Sequence, residues 1–131
     1  MIGLDTNVLV RYIAQDDPVQ SPKATQLMEG KLSLDDPGFV SLVAMVETAW
    51  VLKRAYRLSD RSLAATIERI LQIDVLIVES EQEVFAAMTT LKARCGSFAD
   101  ALIGALNAQA GCSRTATFDE EALRPPGFEL L

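Results

Sequence analysis

The chain opens on a strand–turn–helix unit, and no other stretch restricts its fold as strongly. Ile2 and Leu4 make a short apolar run, Asp5-Thr6-Asn7 interrupts it, and Val8, Leu9, Tyr12 and Ile13 then recur at helical spacing. A strand that turns directly into a helix suits an open parallel sheet. There such turns open at the carboxyl edge of the strands, where ligands bind. Asp5, Thr6 and Asn7 are also all good helix N-caps, which is the plainer account of the turn taken alone.

The alternation continues. Met1–Asp5 reads as a strand and Thr6–Ala14 as a helix; Asp16-Asp17-Pro18 breaks the chain, and Ser21–Leu32 is a second helix with Ala24, Leu27 and Met28 inward. Asp35-Asp36-Pro37-Gly38 is a turn, Phe39-Val40-Ser41 a short strand, and Leu42–Tyr56 a long helix with neither Gly nor Pro. After a connection at Arg57–Asp60, Leu63, Ile67, Ile70 and Leu71 mark the inner face of a helix, and Asp74–Val78 is the clearest strand. Ser80 and Glu83 read as a capping box. The helix behind them buries Val84, Met88, Leu91 and Cys95 and ends at Gly96. Phe98–Ala110 is a helix closed by Gly111, Cys112–Thr117 a strand, Thr117–Leu123 a short helix and Phe128–Leu131 a last edge strand. Strands alternating with helices imply a parallel sheet with helices on both faces. No repeat or linker interrupts residues 1–131, and a chain of 131 residues is read as one domain.

Composition removes several classes of chemistry. Histidine is absent, which excludes Ser-His-Asp and Cys-His nucleophile systems and a His-ligated zinc site. The two cysteines, Cys95 and Cys112, cannot supply four thiolates; they are expected as reduced core residues rather than a disulfide. An enzyme of this composition rests on carboxylates, Lys or a hard metal ion. The net charge of −6 argues against loose binding to a polyanion. It leaves room for a nucleic-acid enzyme, because acids held around a divalent cation count as negative only while the site is empty. The N-terminus has no basic region ahead of its apolar residues and no apolar run is long enough to span a bilayer, so a cytoplasmic protein without a signal peptide or membrane span is expected.

Four acids stand out. Glu47 sits in Leu42-Val43-Ala44-Met45-Val46-Glu47-Thr48-Ala49-Trp50-Val51-Leu52, with apolar side chains on nearly every face. A carboxylate there is costly unless paired or metal-bound; the plainer account is a glutamate snorkelling along a thin solvent stripe with Thr48. Glu47 lies about 9 Å along the helix from Ser41, at about 1.5 Å per residue, within reach of the sheet edge. Asp100 follows Ser97 by three residues, which also suits a capping pair. If the strand Cys112–Thr117 runs parallel to the first strand, however, the helix before it starts at the carboxyl edge, on the same side as Asp5. Asp119 follows that strand; its plainer account is a first-turn acid beside a Thr117 cap. Connectivity thus brings all four acids to one edge. Crowded carboxylates repel one another unless a cation is present. All-oxygen ligands suit Mg²⁺ or Mn²⁺, and such an ion orients a phosphate and activates a bound water. The chemistry implied is metal-dependent hydrolysis of a phosphodiester.

Ile2-Gly3-Leu4-Asp5-Thr6-Asn7-Val8-Leu9, Glu47 in its apolar helix, Phe98-Ala99-Asp100-Ala101-Leu102-Ile103 and Thr117-Phe118-Asp119 together resemble the PIN domain. The small size is similar to that of the VapC toxins, the ribonuclease halves of bacterial type II toxin–antitoxin pairs. The resemblance covers essentially the whole chain. It implies an α/β, three-layer fold with a parallel sheet of about five strands. It also implies Mg²⁺, with Mn²⁺ as a substitute, held by Asp5, Glu47 and Asp100, with Asp119 joining for a second or weaker metal. Thr6, Asn7 and Thr117 would orient these carboxylates. Many relatives carry another acid a few residues before the position of Asp100; Ser97 stands nearby here, which leaves one or two metals open. The resemblance further implies an RNA substrate, a homodimer and an antitoxin that covers the active-site groove.

The helix around Trp50 has more apolar faces than one sheet can cover, which independently suits a partner; a central helix buried on several sides is the plainer account. Lys53, Arg54, Arg57 and Arg61, with Lys92, Arg94 and Arg114, suit contacts to RNA phosphates or simply a solvated face. Two other readings stay open. An aspartyl-phosphate phosphohydrolase shares the strand–Asp opening but uses a second Asp where this chain has Asn7. A non-catalytic module would keep the fold and use it to hold RNA or protein.

Overall fold

The computed structural model describes residues Met1–Leu131. Five short strands and six α-helices alternate: β1 Ile2–Gly3, α1 Thr6–Ala14, α2 Gln20–Gln26, β2 Gly38–Val40, α3 Leu42–Arg54, α4 Asp60–Leu71, β3 Leu76–Val78, α5 Glu81–Lys92, α6 Phe98–Gln109, β4 Thr115–Thr117 and β5 Phe128–Leu130. The fold is α/β and every strand pair is parallel, as the alternation predicts. The strands nevertheless form two sheets rather than one of about five, with orders β1-β2-β3 and β4-β5. The cause is strand length. β1 ends early because Asp5 leaves it to cap α1, its Oδ1 accepting the Thr6 N–H at 2.8 Å. β4 begins only at Thr115, because Gly111 (φ 100°) and Cys112 close α6, their N–H groups reaching the Ala108 and Asn107 carbonyls.

The chain divides into two compact units, Met1–Leu58 with Arg69–Glu79, and Ser59–Glu68 with Ser80–Leu131. In the first, α1 packs on α2 and α3, and Leu4, Leu9, Val40, Met45, Leu52 and Val78 are buried. Ser41 caps α3 by accepting the Ala44 N–H, and the Glu79 carboxylate accepts the Leu42 N–H at 2.8 Å. Two otherwise orphaned helix donors are satisfied this way. At the far end of α1, the Tyr56 hydroxyl donates to Asp16 at 2.6 Å, and Arg11 donates to Asp16, Tyr56 and Gln20. The expected helix Ser21–Leu32 is α2 followed by a wider turn, Leu27–Lys31, in which the Leu32 N–H reaches back five residues to Leu27. Gly30, a weak helix former, lies in that turn.

In the second unit α5 and α6 pack together, and Leu63, Ile67, Val84, Met88, Leu91 and Leu102 are buried. α6 lies so close to β5 that a Cβ on Gly104 would come within 2.8 Å of the Phe128 ring. Asn107 donates to the Thr115 hydroxyl at 3.0 Å. Three local expectations are corrected. Ser80 takes a left-handed conformation (φ 51°) and makes no side-chain cap, so the capping box is absent. α5 is closed by Arg94 (φ 58°), whose N–H and that of Cys95 reach the Leu91 and Thr90 carbonyls, rather than by Gly96. Gly96 (φ 142°) instead admits Pro125, whose Cγ would sit 2.6 Å from an added Cβ. Cys95 and Cys112 are free thiols, as expected, but both are exposed. Each lies in the turn that closes a helix against solvent, and neither joins the core. No helix is long and apolar enough to cross a membrane.

Candidate active site

The two units hold two of the candidate acids each. Asp5 and Glu47 belong to the first, Asp100 and Asp119 to the second.

Asp5 lies at the carboxyl edge of the three-stranded sheet. The pairings Ile2–Gly38 and Gly38–Leu76, continued past the strand ends, bring Asp5, Ser41 and Glu79 into line along that edge. Asp5 is exposed and is the N-cap of α1, so the cap expected from its residue type is present. One carboxylate oxygen is engaged by the Thr6 N–H, and the other makes no hydrogen bond. Thr6 therefore orients Asp5 through its backbone; its side chain is buried. Asn7 is exposed, and no hydrogen bond joins its side chain to the carboxylate.

Glu47 is exposed, five residues past Leu42, and its carboxylate has neither hydrogen bond nor ion pair. The snorkelling stripe exists, but its members differ from the expectation. Val43, Glu47, Trp50 and Arg54 face solvent, whereas Thr48 is buried with a hydroxyl that finds no partner. The helix is thus not buried on several sides: Val43 is 77% and Trp50 59% exposed. The Arg54 guanidinium carbon lies 5.4 Å from the Trp50 ring centroid, a cation–π contact. Helical side chains lean toward the N-terminus of their own helix, so Glu47 leans toward the sheet edge that holds Asp5.

Asp100 sits in the first turn of α6, half-buried. Ser97 accepts the Asp100 N–H at 3.1 Å, so the capping serine is present. The reciprocal half is missing, and the Asp100 carboxylate itself has no hydrogen bond or ion pair. Asp119, exposed, follows β4 and is the N-cap of a single 3₁₀ turn, Glu120–Leu123; its carboxylate accepts the Glu121 N–H at 2.9 Å. Thr117 accepts the Asp119 N–H and so fixes the backbone of Asp119, not its carboxylate.

Glu79 was not singled out in the sequence. The signal for it was available, since it is the first residue after an apolar strand, the position that Asp5 and Asp119 make conspicuous. Its carboxylate closes the N-terminus of α3.

Within neither unit do three Asp, Glu or Cys side chains gather to hold a metal ion. The donor chemistry suits a hard divalent cation, since all four acids offer oxygen and Glu47 and Asp100 offer whole carboxylates with no competing cation.

Parallel strands feeding helices, with acids at strand ends and helix starts and no histidine, define an α/β protein whose candidate site residues are carboxylates. The chain belongs to the PIN domain family, whose model matches residues 2–127 and so runs through both units. PIN domains are generally nucleases and typically use divalent metal ions. No curated protein matches the chain significantly.

Proposed function

We propose that the protein is a Mg²⁺-dependent endoribonuclease that hydrolyses RNA phosphodiester bonds and acts as the toxin of a toxin–antitoxin pair, with Mn²⁺ able to replace Mg²⁺. The observation that carries the catalytic part is the pair of carboxylates on Glu47 and Asp100, which stand in helices of a PIN domain with no cation or donor engaging them. A carboxylate kept free of local partners is available to a ligand. Asp5, Glu47, Asp100 and Asp119 are the residues that would hold the ion. When bound, the ion would orient a phosphate, lower the pKa of a water and stabilise developing charge. The chain's own contribution is positioning: the Thr6 N–H fixes Asp5, Ser41 and Glu79 fix the start of α3, and the Glu121 N–H fixes Asp119.

The toxin role, the homodimer and the antitoxin rest on the VapC-like size and motifs. Induced alone, the chain should arrest growth, and co-expression of a neighbouring antitoxin gene should relieve the arrest. Harmless high-level expression rejects the toxin role.

A non-catalytic RNA-binding module is the second reading. It is favoured by the absence, within either unit, of a three-acid group. Incubation of the purified chain with labelled RNA in Mg²⁺, Mn²⁺ and EDTA separates the two. Metal-dependent cleavage that Asp100→Asn removes supports the nuclease; binding without cleavage supports the module.

A further inference from the structure

Trp50 is the one tryptophan of the chain. It lies 59% exposed on the solvent stripe of α3, with Arg54 stacked on it and Glu47 one turn before it. From this we infer that Trp50 is a stacking platform for an unpaired base of single-stranded RNA, with Arg54 at the adjoining phosphate. The inference rests on the nuclease reading, in which Glu47 belongs to the reactive centre.

From Glu47 onward, after the exposed Val43, the order along the stripe is acid, aromatic, cation. Glu47 to Arg54 spans seven residues, roughly 10 Å of helix at about 1.5 Å per residue. Trp50 has Val46, Glu47, Lys53 and Arg54 at the helical spacings of three and four, so three of its four helical neighbours are charged. The centres of protein–protein interfaces are depleted of charge, and a large ring among charges suits a ligand that is flat on one part and ionic on another. Arg54 and Arg57 are exposed and form no ion pair with any acid of the chain. They can meet phosphate without breaking an ion pair. A duplex keeps its bases stacked on one another and cannot offer one to an exposed indole, whereas a single strand can. The platform therefore selects single strands and sets the register of the chain relative to Glu47.

The sole tryptophan also gives the measurement. In EDTA, where no metal-dependent cleavage occurs, a short single-stranded RNA should quench Trp50 fluorescence, and the duplex of the same sequence should not. Trp50→Phe should bind within a few-fold of wild type. Trp50→Leu should bind about 5- to 150-fold more weakly, the range that base–aromatic stacking supplies. Arg54→Ala should lose less and should flatten the salt dependence. Trp50 is at the surface, so circular dichroism should show all variants folded. The inference is overturned if labelled RNA binds without quenching, if no RNA binds, or if Trp50→Leu binds as wild type. It is also overturned if Trp50→Leu turns a dimer into a monomer while RNA affinity holds, which makes this face a protein interface. Quenching without cleavage in Mg²⁺ leaves the platform standing and removes the nuclease reading; cleavage unchanged in Trp50→Leu does the reverse.

Discussion

The two units treat their pairs of acids alike in one respect and unlike in another. Each has one acid tied down as an N-cap, Asp5 in the first and Asp119 in the second, and one whose carboxylate makes no hydrogen bond or ion pair, Glu47 and Asp100. The caps differ in what they hold. Asp5 starts a nine-residue helix whose Leu9 and Val10 are in the core, whereas Asp119 starts a four-residue 3₁₀ turn. A cap on a packed helix contributes to global stability; a cap on one surface turn orders only that turn. Residue type alone makes Asp5 and Asp119 look equivalent. What separates them is the structure attached to each.

The largest expected effect breaks this comparison at the level of chemistry. If the two partnerless acids are metal ligands, Glu47→Gln and Asp100→Asn should each reduce metal-dependent RNA cleavage by at least about 100-fold, with folding intact. Asp5→Asn should do the same, and Asp119→Asn should cost less. Cleavage assays at saturating Mg²⁺ check this ordering, and wild-type activity in any of the first three refutes it.

Next comes the metal response. An ion that binds only the folded chain stabilises it by about 2.7 kcal/mol at roughly 100 times Kd, or roughly 6–15 °C in Tm for a chain of this size. Thermal melts in EDTA and Mn²⁺ should show that shift in wild type and lose most of it in Asp100→Asn. An unchanged shift removes Asp100 from the metal site. In EDTA, Asp100→Asn should melt no lower than wild type, because its carboxylate has no partner to lose.

The caps give a smaller effect that sharpens the contrast. Asp5→Ala should cost about 1 kcal/mol, or roughly 2–6 °C in Tm, whereas Asp5→Asn keeps a good capping side chain and should cost little. Asp119→Ala should move the global melt by much less. Equal losses at the two positions would make the short turn as integral to the fold as α1.

The smallest effect lies in acid. The Tyr56 hydroxyl, more than any other group, holds the exposed Asp16 carboxyl below its ordinary value, with Arg11 adding to it. Backbone N–H groups of Gln20 and Val19 do the same for Asp17. A carboxyl whose value is depressed on folding contributes stability that is full above its unfolded value and is lost as pH falls through the folded one. Tyr56→Phe should therefore lower Tm slightly at neutral pH, and the difference should vanish well below pH 4. Tyr56 itself is raised by its bond to Asp16, so its share is lost as pH rises past its folded value.

The helical alternation, the parallel pairing and the caps at Asp5 and Ser97 were legible because they depend on neighbours in sequence. Asp5 and Ser97 satisfy helix donors within three residues, and a sequence shows such bonds directly; the turn after β4 differs from its expectation, since Asp119 rather than Thr117 is its cap. Where a helix or strand stops was not legible. Gly96 looked like the end of α5, but Arg94 adopts the left-handed turn and Gly96 makes room for Pro125, a residue far along the chain. Cys95 fitted an apolar periodicity and yet lies past the helix end, in solvent. Glu47 appeared enclosed because its neighbours are apolar, but Val43 and Trp50 share its exposed stripe. Hydropathy records what a side chain prefers; which preferences the fold leaves unmet follows from packing alone.

Thr48 bears on how freely this chain can change. Its hydroxyl is closed in the packed face of α3 with no acceptor or donor, so the native state carries an avoidable penalty. Thr48→Val removes the polar atom at almost constant shape and should raise stability by about 1 kcal/mol, read as an upward shift in denaturant midpoint. The position adjoins Glu47 in sequence yet points away from it, inward. A variant lineage thus has, one residue from a candidate ligand, a reserve of stability that it can draw on without touching the chemistry, and destabilising changes elsewhere on the surface become tolerable once it is used.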